Sequence, residues 1–477
     1  MDLLSALNLA LPEAALGVLA LVLVLVGAIW GQRSATAVSW LTILGLIGAA
    51  VLAAWNVEGR AFAGAFIADG ASAFARAAIY GFSALAVFLG DRWLARRGDA
   101  KFEFPLLVLL ASIGMGMMAA AGDLISLYVG VELHSLALYV LAAIRRDDAR
   151  ASEAGLKYFV LGALSSGLLL YGASLIYGFA GTTEFTAIST AVQNGADTGV
   201  LFGLVFLICG LAFKVSAAPF HMWTPDVYEG APTPIVAFFT TAPKLAAMVL
   251  FARTIAEAFP GATVQWQQVL IAIALISVFV GAFAGLVQKN LKRLLAYSSI
   301  NNIGYALIGM SAGTDQGMQS MLVFMVLYMA DVTGMFAILL ALSRGGRPME
   351  RIEDFAGLAR ERPGLALAMT ALCFSVMGIP PFSGFWAKVY VFRAAIDAGL
   401  WGVAVAGLVG SVVAAFYYLR IVKTMWFDSA PSAADKPAGY ATGVAYASAL
   451  FSFPVVLIAL AALDPLAATA ARSFGLG

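Results

Sequence analysis

The sequence has few charged residues and few cysteines, and these shortages exclude several classes of protein. Only 12% of its 477 residues are charged, whereas a typical soluble domain has about 25%. Cys209 and Cys373 lie far apart in apolar runs, so no disulfide framework, iron–sulfur cluster or zinc site can be drawn. There is no Walker A sequence and no G-x-G-x-x-G after a strand. We therefore expect that this chain binds no cofactor.

Neither a basic surface nor a basic leader is present. The net charge is +1, and no segment concentrates Lys and Arg around aromatic residues, which argues against a nucleic-acid partner. The first apolar run, Ala15 to Trp30, follows a start without basic residues, unlike a signal peptide. We predict that this run is the first membrane span.

Apolar residues are what the sequence has in excess. They make up 62% of the chain, and the mean hydropathy is +0.92. Runs of about 20 residues, enough to cross a bilayer, recur from end to end. The sequence predicts an all-α polytopic membrane protein of about 14 transmembrane helices, centred near residues 23, 45, 84, 112, 134, 166, 208, 245, 276, 302, 329, 380, 412 and 452.

Basic residues are distributed unevenly on this map. Lys and Arg accumulate in short cytoplasmic loops. With both termini outside, the inner loops hold twenty basic residues and three fall inside spans. The five outer ones are Arg60, Arg76, Arg253, Arg393 and Arg472. One missed helix would destroy this asymmetry, so the helix count and the orientation support each other.

Two predicted spans carry helix breakers at membrane depth, at Lys214 to Pro234 and at Met377 to Lys388. Backbone groups freed there are tolerated only inside protein or around a wet cavity. The breaks fall in helices seven and twelve, which predicts two inverted five-helix repeats. The predicted divisions are N-terminal helices one to three in 1–104, repeats in 105–258 and 259–425, and a C-terminal helix in 426–477.

One glutamate and three lysines fall inside the predicted spans. Glu132 lies near the centre of span five, Lys214 lies before the first break, Lys244 is in span eight, and Lys388 follows the second break. A charge at the bilayer centre costs about 2.5–3.5 kcal/mol, so we predict a functional role. Structural pairing is the alternative for each residue. Snorkelling is not expected from mid-span.

These residues suggest a proton relay. Burial disfavours an ammonium group, and a nearby carboxylate restores it. If Glu132 pairs with Lys214, drawing Glu132 away would push the proton of Lys214 towards Lys244, His221 and Lys388. His221 could shuttle protons or could cap carbonyls freed by the break.

Three further polar residues have open or structural roles. Asp331 lies in the middle of span eleven, where a charge is costly, but the sequence names no partner for it. His134 is two residues from Glu132 on another helical face, which favours packing or hydrogen bonding. Asp123 is expected to be an N-cap.

Three motifs stand out in the sequence. They are LYVGVELHSLALYVL (127–141), KVSAAPFHMWTPDVYEGAPTPIVAFFTTAPKLA (214–246) and QKNLKRLLAYSSINNIGY (288–305), joined by VMGIPPFSGFWAK (376–388). Together they resemble the antiporter-like proton-channel subunits of respiratory complex I and of multisubunit sodium/proton antiporters. By this resemblance the functional residues map to Glu132, Lys214, Lys244 and Lys388. His134 stands where the family suggests glutamine.

The resemblance implies a function and partners. It implies a proton-translocating subunit of an NADH:quinone oxidoreductase in the bacterial inner membrane, with no redox centre of its own. NADH, flavin, iron–sulfur clusters and quinone would be bound by partner subunits, and other membrane chains would be neighbours. A stand-alone or Mrp-like cation/proton antiporter is one alternative. A structural subunit that only bridges others is another.

Overall fold

The computed structural model describes residues 3–55, 58–193, 197–430 and 432–476. The helices are α1 Leu3–Leu9, α2 Leu11–Trp30, α3 Ala35–Ala54, α4 Gly70–Arg96, α5 Glu103–Ala119, α6 Leu124–Ala142, α7 Ala149–Ala180, α8 Phe185–Val192, α9 Thr198–Val215, α10 Trp223–Gly230, α11 Thr233–Phe239, α12 Ala242–Arg253, α13 Thr263–Leu286, α14 Leu291–Ser311, α15 Asp315–Ala341, α16 Leu358–Glu361, α17 Pro363–Met377, α18 Ser383–Asp397, α19 Trp401–Phe427, α20 Gly439–Leu450 and α21 Val456–Arg472. Short 3-10 turns cover Gly31–Ser34, Pro260–Ala262 and Ile352–Phe355, and π turns cover Thr254–Ala258 and Phe451–Val455.

Strands are confined to two small hairpins in the described ranges. β1 (Gly59–Ala61) pairs antiparallel with β2 (Phe66–Ala68), and β3 (Ser343–Arg344) pairs antiparallel with β4 (Arg347–Pro348). Both hairpins lie in connections between helices. The prediction of an all-α chain is therefore confirmed.

Ten helical segments in the described part of the chain are long and apolar enough to cross a membrane. They are Leu11–Ala54, Gly70–Arg96, Leu124–Ala142, Ala149–Ala180, Thr198–Val215, Thr233–Ala258, Pro260–Leu286, Asp315–Ala341, Trp401–Phe427 and Gly439–Arg472. The helices α5 and α17 are apolar but shorter. The polytopic membrane class is confirmed, whereas the number of fourteen crossings stays a prediction.

The helices differ in where they lie in the bundle. Every residue of α12 is buried, and α11, α14 and α15 are also central. The outer helices instead expose large apolar side chains, such as Leu21 at 70% and Ile458 at 78%. A contiguous apolar exterior of this kind suits lipid or a protein neighbour rather than water.

Candidate functional site

The first helix interruption lies between α9 and α10. The helix α9 ends at Val215, Ser216 follows in a left-handed conformation, and α10 begins at Trp223. The carbonyl of Phe213 accepts from the Trp223 indole at 3.2 Å, and the amide of Ala218 donates to Ser277 Oγ at 2.8 Å. The protein itself therefore satisfies backbone groups that lipid could not satisfy.

Lys244 contacts the end of α9 at this interruption. It lies in the first turn of α12 and is 1% exposed. Its Nζ donates to the carbonyl of Val215 at 3.1 Å and to Ser216 Oγ, and it lies 5.1 Å from the Trp223 ring centroid. The ammonium group thus rests on the last carbonyl of α9, at the negative end of that helix.

Lys388 makes the same kind of contact at a second interruption. The helix α17 ends at Met377, Gly378 has φ +91°, and α18 begins at Ser383. The Lys388 Nζ donates to the carbonyl of Met377 at 2.8 Å and to Ser411 Oγ at 2.6 Å. Two lysines therefore each neutralise the end of an interrupted helix.

Lys214 is held by hydroxyl groups. Its Nζ donates to Ser135 Oγ at 2.9 Å and to Ser166 Oγ at 3.3 Å. Glu132 lies one helical turn before Ser135 and acts on Lys214 electrostatically. No ion pair within 4.0 Å joins Glu132 and Lys214 in the described chain, and Glu132 Oε1 is buried without a hydrogen-bond partner. Serine hydroxyls, rather than a carboxylate, are the direct partners of this ammonium group.

Asp331 has partners that the sequence did not reveal. Its carboxylate accepts from Ser375 at 2.6 Å and from Ser383 at 2.9 Å, and Ser383 lies 3.0 Å from Ser452. Ser383 is the first residue of α18, so the carboxylate lies where that helix begins. Asp331 therefore contacts both the end of α17, through Ser375, and the start of α18, and Lys388 contacts the end of α17 at the same interruption.

The two histidines and Asp123 have different surroundings. His134 is 3% exposed, and its Nδ1 lies 3.3 Å from Ser135 Oγ, as expected for a hydrogen-bonded packing residue. Asp123 accepts from the Ser126 amide at 2.6 Å, so its N-cap role is confirmed. His221 is half-buried in the first interruption, and its Nδ1 has no hydrogen-bond partner in the described structure.

Two buried ion clusters were missed by the sequence reasoning, which placed Arg76 and Arg253 in outer loops. Both arginines are fully buried. Arg76 pairs with Glu13 at 3.3 Å, and Arg253 pairs with Asp69 at 2.8 Å and also with Glu257. The four-residue spacing of Arg253 and Glu257 on one helix was a signal for the second cluster.

A larger ion cluster joins α7, α10 and α14 at the predicted inner end. Asp226 accepts from Lys157 at 2.8 Å and from Arg293 at 2.7 Å, and Arg293 also contacts Glu229 at 3.1 Å. Lys292, which is 3% exposed, pairs with Glu350 at 2.9 Å and donates to the carbonyl of Ala231 at 3.0 Å. These contacts fix the C-terminal half of α10.

The arrangement contains hydrogen-bonded ammonium groups but no cluster of metal ligands. Among the described residues, no group of three or more His, Cys, Asp or Glu side chains could hold a metal ion. The expectation of a cofactor-free chain stays a prediction. What the site can do chemically is hold and release protons at lysine and carboxyl groups.

Comparisons with known proteins agree with this chemistry. The family described as NADH:quinone oxidoreductase/Mrp antiporter, TM matches residues 121–414, more than half of the chain. A NADH-quinone oxidoreductase subunit N from Caulobacter sp. (strain K31) is 68% identical over 392 residues, or 81% of each chain. The sequence APFHMWTPDVYEGAPTP and the lysine in span twelve predict a likeness to subunit N, and this relative confirms that prediction.

Solved structures share the fold. A chain in respiratory complex I from Thermus thermophilus with bound Aureothin matches with a TM-score of 0.81 and 34% identity, covering 96% of this chain and 100% of that one. A chain of the Mrp complex from Dietzia sp. DQ12-45-1b matches with a TM-score of 0.85 and 23% identity, covering 98% and 97%, which shows the fold alone. The chain belongs to the NADH:quinone oxidoreductase/Mrp antiporter family of multi-pass membrane proteins.

Proposed function

We propose that this chain is the proton-translocating membrane subunit of a bacterial NADH:quinone oxidoreductase. The observation that carries the proposal is the placement of Lys244 and Lys388 on the last carbonyls of two interrupted helices. Partner subunits would oxidise NADH and reduce quinone, and this chain would contribute to the translocase without a redox centre. The 68% identity to a subunit N supports this assignment.

Neutral partners make reversible proton loading at the lysines reasonable. Lys214, Lys244 and Lys388 donate to serine hydroxyls or backbone carbonyls, and none of the three has a carboxylate within 4.0 Å in the described structure. Burial opposes the charged form, and these dipoles offset only part of that cost. Each lysine amine would therefore be able to gain and to release a proton.

Glu132 would bias the first of these lysines. Because Glu132 acts on Lys214 without a direct ion pair, a small movement of the carboxylate changes the electrostatic support of the ammonium group. Withdrawal of Glu132 would release the proton of Lys214 towards Lys244 and then Lys388. His221, half-buried in the first interruption, would serve as a shuttle beside this relay.

Asp331 is a further acid group of the relay. The hydroxyls of Ser375 and Ser383 donate to its carboxylate, and Ser383 lies next to Ser452, while Lys388 donates to the carbonyl of Met377. A proton leaving Lys388 would find a hydrogen-bonded carboxylate at the same interruption.

Two inverted repeats would relate the two interrupted helices of the relay by symmetry. We propose fourteen crossings, N-terminal helices in 1–104, inverted five-helix repeats in 105–258 and 259–425, and a C-terminal helix in 426–477. The terminal residues 1, 2 and 477 lie outside the described residues. A lysine-to-carbonyl contact at each interruption supports the correspondence of the two interrupted helices, although Lys244 comes from the following span and Lys388 from the interrupted span itself. The chain would lie in the bacterial inner membrane among other membrane and peripheral subunits, with both termini on the periplasmic side and no cofactor of its own.

Single substitutions test the relay. Glu132→Gln, Lys214→Met and Lys244→Met would be introduced one at a time, and NADH-driven proton uptake would be measured in inverted membrane vesicles. We expect each to reduce pumping, while Lys436→Met, on an exposed loop, leaves it unchanged. Normal pumping in all three variants would refute the relay.

A cation/proton antiporter is the second candidate, because the Mrp complex chain shares the fold. Proton/sodium exchange by the isolated chain in liposomes would favour it. A chain that copurifies with NADH-oxidising activity and shows no exchange alone would favour the oxidoreductase. If the complex pumps fully with every relay variant, the chain is instead a structural bridge.

A further inference from the structure

Five buried hydroxyl groups without a hydrogen-bond partner in the described structure lie on the neighbouring helices α10, α14, α15 and α19. They belong to Tyr228, Ser299, Tyr328, Tyr417 and Tyr305, which we call the hydroxyl column. Each residue is at most 3% exposed, and none of these side-chain oxygens makes a hydrogen bond within the described structure. Native proteins leave few buried polar groups unpaired, so this concentration requires a physical cause.

The hydroxyl column begins on α10. Tyr228 lies between Asp226 and Glu229 in sequence, but those two carboxylates join the ion cluster, whereas the Tyr228 ring is fully buried. Ser299 is on α14, which packs against α10 with Tyr228 and against α15 with Tyr328. These groups are neighbours, yet no hydrogen bond joins them. A bridging water satisfies that geometry, because one water pairs with two to four polar groups.

The middle of the hydroxyl column is on α15 and α19. Tyr417 has Tyr328 and Tyr305 within interaction range. Its ring lies against that of Tyr418, with the centroids 4.5 Å apart, and the Tyr418 hydroxyl lies 2.6 Å from Ser298 Oγ. Buried hydroxyl groups therefore occur on each of the helices α10, α14, α15 and α19.

The hydroxyl column ends at Lys388. The Lys388 Nζ lies 4.9 Å from the Tyr305 ring centroid and donates to Ser411 Oγ at 2.6 Å. Along α14, Ser299 follows Lys292 by about 10 Å and Tyr305 follows Ser299 by about 9 Å, at 1.5 Å per residue. The column thus spans the distance from the ion cluster to the buried lysine.

The other end lies beside an opening at the surface. A polar cavity of about 210 Å³ lies next to α10 and is lined by Asp226, Glu229, Arg293 and Lys157 among others. Tyr228 is on the buried side of the same two-turn helix. The charged face that lines this cavity and the first buried hydroxyl therefore belong to the same short helix.

We propose that the hydroxyl column binds internal water and conducts protons from the ion cluster on α10 directly to Lys388. The inference rests on the proposed function and extends it, because Lys388 then has an inner supply that does not pass through Lys244. Each transfer moves one proton from a water or hydroxyl to the next while a second proton leaves on the far side. The last proton joins the neutral Lys388 amine to give ammonium, and no electron is transferred.

Removing single hydroxyl groups tests this inference in the assembled complex. Tyr328→Phe and Ser299→Ala remove one oxygen each, and we expect about fivefold slower NADH-driven proton uptake, as for the loss of one hydrogen bond. Ser299→Thr, which keeps a hydroxyl, should restore pumping. The matched control is Tyr171→Phe, the same change on a side chain 54% exposed on α7. Pumping by Tyr328→Phe and Ser299→Ala equal to that of Tyr171→Phe would overturn the proposal.

A labelling experiment covers variants that assemble poorly. In a chain whose two native cysteines are replaced by alanine, Ser299→Cys should react with a small water-soluble thiol reagent added to inverted vesicles. Ala306→Cys, a fully buried apolar position on the same helix, should not react. An unreactive Ser299→Cys would contradict hydration of the hydroxyl column. Because the relay variants are scored separately, the column can fail while the relay of Glu132, Lys214 and Lys244 stands.

Discussion

The substitution Gly378→Ala should slow proton transfer by adding one methyl group beside Lys388, and its effect on pumping can be measured apart from its effect on stability. Gly378 follows α17 with φ +91°, and a Cβ there would lie 2.9 Å from Lys388 Cδ and 3.3 Å from Nζ. Gly378→Ala therefore forces the lysine side chain to move. A shift lengthens its hydrogen bonds to the Met377 carbonyl, at 2.8 Å, and to Ser411 Oγ, at 2.6 Å.

The magnitude follows from these contacts. A left-handed conformation costs alanine roughly 1–2 kcal/mol, and a hydrogen bond to a charged group contributes about 1.5–3 kcal/mol. Loss of one such bond to the ammonium group corresponds to a factor of roughly 10 or more. We expect Gly378→Ala to reduce proton uptake by inverted vesicles about tenfold, on the scale of 1.4 kcal/mol per decade.

Gly399 offers a matched control. It follows α18 with φ +78°, and a Cβ there would meet nothing within 4 Å. Gly399→Ala therefore carries a similar backbone cost without touching Lys388, and it should pump normally once the amount of assembled complex is equalised. Equal pumping by Gly378→Ala and Gly399→Ala would refute the assignment of Lys388 to proton transfer.

Three further predictions follow from the described contacts. Ser135→Ala removes a hydroxyl that Lys214 contacts at 2.9 Å, so we expect slower proton uptake, by a factor corresponding to about 1–3 kcal/mol, with the complex assembled normally. Arg253→Met leaves the carboxylates of Asp69 and Glu257 without their buried partner, and thermal unfolding of the purified complex should show a loss of about 3–5 kcal/mol. The Gly346 amide, with the Ser343 hydroxyl and the Gly345 amide, holds the pKa of Asp435 below its usual value, so this contact is present at neutral pH and is lost as pH falls through that lowered pKa. Asp435→Asn should therefore speed proteolysis of the connection between α19 and α20 at neutral pH, and the difference from the unsubstituted chain should vanish in strong acid.

The helical membrane class and the buried lysines could be predicted from sequence because both depend on local pattern. Runs of about 20 apolar residues report helices directly. A lysine inside such a run is costly wherever its helix packs. Lys214, Lys244 and Lys388 were accordingly visible, as was the N-cap role of Asp123.

The partners of these residues could not be predicted, because they come from distant parts of the chain. Ser411 contacts Lys388 across 23 positions, and Ser135 contacts Lys214 across 79. Asp331 lacked a partner in the sequence analysis, yet Ser375, 44 positions later, donates to it at 2.6 Å. Serine is common in membrane helices and signals no pairing by itself.

Buried arginines escaped prediction for a related reason. Arg76 and Arg253 occur near predicted span ends, where snorkelling into the interface is the ordinary expectation. The structure instead buries both, because Glu13 and Asp69 come from separate segments to pair with them. Only the packing of several helices creates those sites.

In the proposed relay, buried lysines beside interrupted helices carry protons through this chain. The most direct test is the number of protons taken up per NADH oxidised by inverted vesicles that contain Lys244→Met, with the unsubstituted chain measured in parallel. The relay predicts a lower proton-to-electron ratio, or loss of both activities together. An unchanged ratio at an unchanged rate of NADH oxidation would contradict it.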